Sequence, residues 1–154
     1  MKNFQQRSHA KEPKDRKLNA PSVTDYMTKD LITFTADTEI HVVIDSLLKN
    51  RITGAPVLND KKEVVGLIDD KDCLHVLFGS AYYNHPVGKS DVASYMTNVM
   101  KSITIHDDII DVANIFLHSP YKRLLVMDDD GKLVGQISRR DILRAIKDMD
   151  TNTW

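Results

Sequence analysis

Tyr26-Met27-Thr28 returns as Tyr95-Met96-Thr97, and the shift from 27 to 96, 69 residues, persists along the chain. It carries Val65-Gly66 onto Val134-Gly135 and Asp72 onto Asp141 without a gap. A gapless internal repeat of this length marks a duplicated structural unit. Where the copies agree, the fold asks for the residue. Where they differ, one copy is free to have kept a function that the other lost.

Each copy follows one script outward from that stretch. A brief strand is expected around Leu31–Phe34 and again around Ser102–Ile105. Ile40, Val43, Ile44, Leu47 and Leu48 then form a helical stripe, matched by Ile109, Val112, Ala113, Phe116 and Leu117. Strands over Ala55–Leu58 and Glu63–Ile68 flank the turn Asn59-Asp60-Lys61-Lys62. Their copies, Leu124–Met127 and Lys132–Ile137, flank Asp128-Asp129-Asp130-Gly131. An amphipathic helix closes each copy, from near Asp69 and near Ser138. The pattern is β-α-β-β-α twice, an α+β fold with both helices on one face of a small mixed sheet. Repeat 1 is assigned to 21–79 and repeat 2 to 90–150. Residues 1–20, polar and without apolar periodicity, read as a flexible tail. Residues 80–89 read as a connecting loop, with Tyr82 and Tyr83 packing on repeat 2.

At 154 residues the chain is one domain or two small ones sharing a core. Hydrophobic content of 42% and charged content of 28% suit a soluble globular protein. A net charge of −1 argues against a general nucleic-acid binder. The lone Cys73 permits no internal disulfide, and no apolar run approaches a membrane span or a signal peptide. The expected location is the cytoplasm.

Several candidate sites fail on spacing. Gly88-Lys89-Ser90 resembles the end of a P-loop, but Tyr83 stands where that motif needs glycine. The six histidines show no metal-ligand spacing, and Cys73, aligned with Ile142, reads as a core residue. Asp128-Asp129-Asp130-Gly131 lacks the alternating ligands and distal glutamate of a calcium loop. No nucleophile, base and oxyanion donor come together, so no catalytic residue, metal or catalytic cofactor is assigned and the protein is read as a non-enzyme.

One constellation survives, Gly135-Gln136-Ile137-Ser138-Arg139-Arg140-Asp141, where the last strand passes into the last helix. Ser-x-x-Asp is also a capping box, which needs no ligand. Three observations point to an anion instead. Arg139 and Arg140 place positive charge on a helix N-terminus, where the macrodipole disfavours it and a bound phosphate would offset the conflict. Lys122 and Arg123 open the preceding strand, and the arginine fork suits phosphate. Finally, Ser138, Arg139 and Arg123 align with Asp69, Asp70 and Gly54, while Asp141 and Asp72 agree. A carboxylate facing a diol is one way of holding a ribose. The copies thus read as one nucleotide site with a phosphate pole and one that has lost it.

The Met-Thr lead, Ala55-Pro56-Val57 and the signature Gly135, Ser138 and Asp141 resemble the CBS domain family, and the pair resembles a Bateman module over Ser22 to Met149. The resemblance implies two repeats packed about a pseudo-twofold axis, with clefts for adenosine-containing ligands. It implies that Asp141 takes the ribose hydroxyls, Ser138 a phosphate oxygen and Arg123 the phosphate, with Lys122 and Arg139 beside them. Ile137 and Ile32 would line an adenine pocket, and backbone near Thr53 would read the base edge. The degenerate cleft of repeat 1 would hold Asp72 and Asp69, and Asp69 would repel phosphate. The expected function is a stand-alone regulator that senses AMP, ADP or ATP at the repeat-2 cleft and relays this to a protein partner. A homodimer through the closing helices is expected by analogy, Leu74, Leu77, Phe78, Leu143, Ile146 and Met149 serving a dimer or a core equally well. The alternatives are a ligand-independent interaction module and a sensor of cyclic di-AMP or S-adenosylmethionine.

Overall fold

The computed structural model describes residues 20–79, 90–98 and 100–153, without the side chains of 151–153. The expected tail, Ala20 apart, and the loop 80–89 with Tyr82 and Tyr83 lie outside these residues.

Each repeat folds its β-branched runs into a three-stranded mixed sheet. β1 (Phe34–Thr35) lies parallel to β2 (Gly54–Leu58), which pairs antiparallel with β3 (Val64–Asp69). β4 (Ser102–Thr104), β5 (Arg123–Met127) and β6 (Leu133–Ser138) repeat that order, down to a register shift at Val57/Leu58 and at Val126/Met127. The leading strands are thus two and three residues long; β1 begins later than the expected Leu31, whereas β4 begins at Ser102 as expected and ends one residue early. A parallel pair needs a crossover. Helix α1 (Ile40–Asn50) supplies it in repeat 1. Repeat 1 closes with α2 (Asp70–Leu74) and a 3-10 turn, His75–Phe78. In repeat 2, a short helix α3 (Val92–Tyr95) precedes β4, α4 (Ile109–Leu117) makes the crossover, and α5 (Arg139–Thr153) closes the repeat.

Four of the five stripe positions face the sheets in each crossover helix. Ile40, Val43 and Leu47 are buried, as are their copies Ile109, Val112 and Phe116, with Ile44 and Ala113 partly covered. Leu48 and Leu117, assigned to the same stripe, are instead 74% and 80% exposed. Each follows a buried residue directly and is rotated by roughly 100° away from the sheet.

The cores are completed by exchange. Val23, Tyr26 and Met27, which open repeat 1, pack into the core beneath β4–β6. Val92, Tyr95 and Met96 pack into the core beneath β1–β3. Thr28 N donates to Gln136 O at 2.8 Å and Gln136 N returns to Thr28 O at 3.0 Å. Leu67 and Thr97 make the equivalent pair, at 2.9 Å in each direction. The two crossings are related by the same 69-residue shift, which is the pseudo-twofold relation between repeats. Each leading segment therefore belongs to the opposite repeat, although the order of the chain attaches it to its own.

This exchange explains why Tyr-Met-Thr and Val-Gly are duplicated together. A methyl group on Gly135 would lie 2.5 Å from Met27 Sδ and 3.0 Å from the Thr28 carbonyl oxygen. On Gly66 it would lie 2.8 Å from Met96 Sδ and 2.9 Å from the Thr97 carbonyl oxygen. Each glycine is the seat of the other repeat's methionine.

Candidate functional site

The starts of the two middle strands, Thr53-Gly54 and Lys122-Arg123, occupy equivalent positions and meet between the repeats. Arg123 Nη2 donates to Thr53 Oγ1 at 2.6 Å. A methyl group on Gly54 would collide with the Arg123 guanidinium, so the glycine of one copy is the space used by the arginine of the other.

Around this bridge opens a cleft of about 440 Å³ lined by both repeats. Six of the eight main residues expected from the sequence line it: Asp141, Ser138, Arg123, Lys122, Ile32 and Thr53. Ile137 does not. It is fully buried in the repeat-2 core, and because neighbours in a strand face opposite ways, Gln136 and Ser138 take the cleft side. Arg139 is exposed outside the cleft, whereas Arg140, next along the helix, lines it.

Arg51, Asp30, Gln136 and Arg140 also line it; Arg140 was read from the sequence only as charge at the helix N-terminus, and the other three were not assigned to the site. Two of them carried a signal in the repeat comparison, since Gln136 aligns with Leu67 and Arg51 with Pro120. Arg51 caps α1 in the left-handed region, at φ 53°, with its N–H on the Leu47 and Leu48 carbonyls. Arg51, Lys122, Arg123 and Arg140 outweigh Asp30 and Asp141, so the cleft carries a net positive charge suited to an anion. Gln136 Oε1 is buried without a hydrogen-bond partner among the described residues. An acceptor in that state gains from any donor brought to it.

Asp141 is buried and fully engaged. Its Oδ2 accepts from Ser138 N at 2.8 Å and from Ser138 Oγ at 3.1 Å, while Asp141 N donates to Ser138 Oγ at 3.4 Å. Its Oδ1 accepts from Arg144 Nη2 at 2.7 Å. Arg144, which also donates to the Tyr26 carbonyl at 3.1 Å, orients the carboxylate and was missed in the sequence. The capping box and the site residues are thus the same atoms.

Repeat 1 keeps the cap and changes its chemistry. Asp69 N donates to Asp72 Oδ2 at 3.0 Å, and Asp72 N donates to Asp69 Oδ1 at 2.8 Å. Asp72 borders a separate cavity of about 180 Å³ with His75, Ser94 and Tyr95. His75 stands where repeat 2 has Arg144. Burial, and then the neighbouring Asp69 carboxylate, push Asp72 up to about 6 against a backbone hydrogen bond that lowers it. Cys73 packs against the repeat-1 core. Burial and the surrounding aspartates push its thiol up to about 11, so it stays protonated near neutrality. Asp128 accepts from Asp130 N and Lys132 N, and Gly131 takes φ 76°, forming the hairpin turn between β5 and β6. Among the described residues, no group of three or more His, Cys, Asp or Glu could hold a metal, and no helix is long and apolar enough to cross a membrane.

The model of the CBS domain matches residues 23–79 and 91–148. The chain is similar to the CBS domain-containing protein CBSX1, chloroplastic, of Arabidopsis thaliana, at 31% identity over 150 residues, covering 80% of this chain and 63% of that protein. It is 27% identical to protein MJ1426 of Methanocaldococcus jannaschii, covering 80% of this chain and 90% of that one. The crystal structure of Arabidopsis thaliana CBSX2 in complex with AMP superposes with a TM-score of 0.73 at 26% identity, covering 84% of this chain and 98% of that chain. The chain spans 44% to 63% of the length of several curated relatives it matches. Two matched copies, two equivalent sheets and the exchanged leading segments lead to one conclusion: this chain belongs to the CBS domain family, as a tandem pair.

Proposed function

We propose that the chain is a regulatory, non-catalytic module that binds an adenine nucleotide, AMP, ADP or ATP, in the cleft of repeat 2 and relays its occupancy to a partner protein. One observation carries this reading. The N-terminus of the 15-residue helix α5, with Ser138 and Asp141, opens into a net-positive cleft beside Arg123. The similarity to CBSX2, whose structure holds AMP, supports it.

The phosphates sit at the N-terminus of α5, where free N–H groups and the helix dipole favour an anion. Ser138 takes a phosphate oxygen, and Arg123, Lys122, Arg140 and Arg51 supply the charge. Asp141 accepts from the ribose hydroxyls, sharing its Oδ1 with Arg144. Ile32 packs on the base near Thr53, and the Gln136 acceptor suits an exocyclic amine. Arg123 must leave Thr53 to reach a phosphate, which converts binding into a change between the repeats. The repeat-1 cleft, with Asp69 in place of serine, binds weakly or not at all. Homodimerisation through the closing helices fits the exposed Leu74 and Leu77 and their copies Leu143 and Ile146, which the core leaves to Ile142 and Ala145.

The test is the melting-temperature shift with AMP, ADP, ATP, cyclic di-AMP and S-adenosylmethionine for wild type, Arg123→Gly and Asp141→Ala. A ligand at about 100 times its dissociation constant adds roughly 2.7 kcal/mol. A shift with an adenine nucleotide in wild type, lost in Arg123→Gly, is expected. An equal shift in that variant would remove the site, and no shift with any of the five would remove the sensor. The second reading, an interaction module without a small ligand, draws on the saturated hydrogen bonding of Asp141. It expects Asp141→Ala to lose stability and wild type to ignore every nucleotide.

A further inference from the structure

A second recess, of about 490 Å³, adjoins the nucleotide cleft through Leu31 and opens where the lead into β1, the β2–β3 turn and the start of β6 converge. Its floor includes Leu31, Leu58 and Leu133, and Lys29, Lys61, Lys62 and Lys132 line it. No carboxylate lines it, and none of the four lysines pairs with a carboxylate within 4.0 Å among the described residues. Of the acids on the same segments, Asp128 is bound to the backbone of its own turn, Asp129 to His106 at 2.6 Å and Glu63 to Asn59, while Asp30, Asp60 and Asp130 do not line the recess.

The internal repeat shows that the fold does not require these lysines. At the equivalent positions, Lys29, Lys61, Lys62 and Lys132 become Asn98, Asp130, Gly131 and Glu63. Two of the four reverse sign, Lys61 to Asp130 and Lys132 to Glu63, and the other two become uncharged. Lysine stems covering an apolar floor would explain one or two such residues. They do not explain why all four positions lose the positive charge together in the other copy. Lys62 adds an independent indication. It sits at φ 61°, in the left-handed region, where repeat 2 uses Gly131 at φ 76°. A lysine is retained where glycine would be conformationally easier.

We propose that this recess is a second binding site, for a small polyanion bearing several phosphate or carboxylate groups. Four ammonium groups around a concavity focus positive potential into it, and lysine binds phosphate as a point charge. The concave shape favours a small molecule over a flat anionic surface, and the volume lies within the range of small-ligand pockets.

The probe is inorganic tripolyphosphate, titrated calorimetrically at low, fixed salt. The principal variant carries the residues of the other repeat: Lys29→Asn, Lys61→Asp, Lys62→Gly and Lys132→Glu. Wild type should bind, and this variant should lose affinity by about tenfold or more. Lys61→Asp with Lys62→Gly should show the loss in part, and serves if the fourfold variant fails to fold. Lys49→Glu with Lys71→Glu and Lys101→Glu, which changes net charge equally outside the recess, should bind as wild type does. Failure of wild type to bind overturns the proposal. So does unaltered binding in both recess variants, or equal loss in the control. Binding to phosphatidylserine-containing vesicles without binding to tripolyphosphate would assign the lysines to a membrane surface and overturn it too.

Discussion

Asp72 and Asp141 occupy the same position in the two repeats, yet their surroundings set them different tasks. Arg144 satisfies one oxygen of Asp141, whereas Asp72 faces Asp69 and has His75 in place of the arginine. The folded Asp72 titrates near 6 against an ordinary 3.8, so folding favours its protonated form. That contribution is complete below about pH 4 and is lost as pH rises through 6. Asp72→Asn should therefore be more stable than wild type near pH 7.5, by about 1 kcal/mol after allowance for its exposure, and the gap should close toward pH 4. Paired thermal melts across that range check it, and a gap independent of pH would refute it. Ser138, Arg123 and Lys122 were legible in the sequence because the repeats differ in charge there, and Asp141 because it closes the Ser-x-x-Asp signature and recurs as Asp72. Ile137 was misassigned because a signature motif does not show which face of β6 each residue takes. Arg144 was hidden because its role depends on a carboxylate one helical turn away and on the Tyr26 carbonyl, 118 residues distant in sequence.

Among the elements, the ends of α1 and β6 show where geometry overrides local preference. Arg51 closes α1 at φ 53°, a conformation that costs a residue bearing a Cβ. Arg51→Gly should raise stability modestly, by about 0.5 kcal/mol, while weakening nucleotide binding. Denaturant unfolding and titration of the same sample separate the two effects, and a variant that gains stability with unchanged affinity would take Arg51 out of the site. At β6, Gly135→Ala forces a methyl group against Met27 and should cost about 1–3 kcal/mol. Adding Met27→Ala should recover part of that loss. Strictly additive losses would mean that the methionine is not what the glycine accommodates. The crossover helices and hairpins were readable because their periods are local. The exchange of leading segments was not, since a 69-residue shift reveals equivalence and cannot reveal which copy of Val-Gly each Met-Thr meets. Leu48 and Leu117 misled for a related reason, because a five-membered stripe is wider than the face that a three-stranded sheet covers.

For the whole molecule, the faces left over by this packing define what it presents. Leu74, Leu77, Leu143 and Ile146 remain exposed at equivalent places where the two repeats close, an arrangement that suits the proposed homodimer. Leu77→Lys with Leu143→Lys should shift the sedimenting species from dimer to monomer without lowering nucleotide affinity greatly. A wild type that sediments as a monomer at every concentration would remove the dimer. The exchanged leading segments carry a further mechanical consequence. Pro21 O accepts from Ile109 N at 3.0 Å and Thr28 is stitched to Gln136, so the chain entering at residue 20 is moored to the second half before it builds the first. A pull transmitted along the polypeptide at that point acts first on the start of α4, at Asp107 and Ile109, and then through Thr28 on the strand that carries Gln136 and Ser138. Load and ligand thus converge on one strand, and each can be felt by the other.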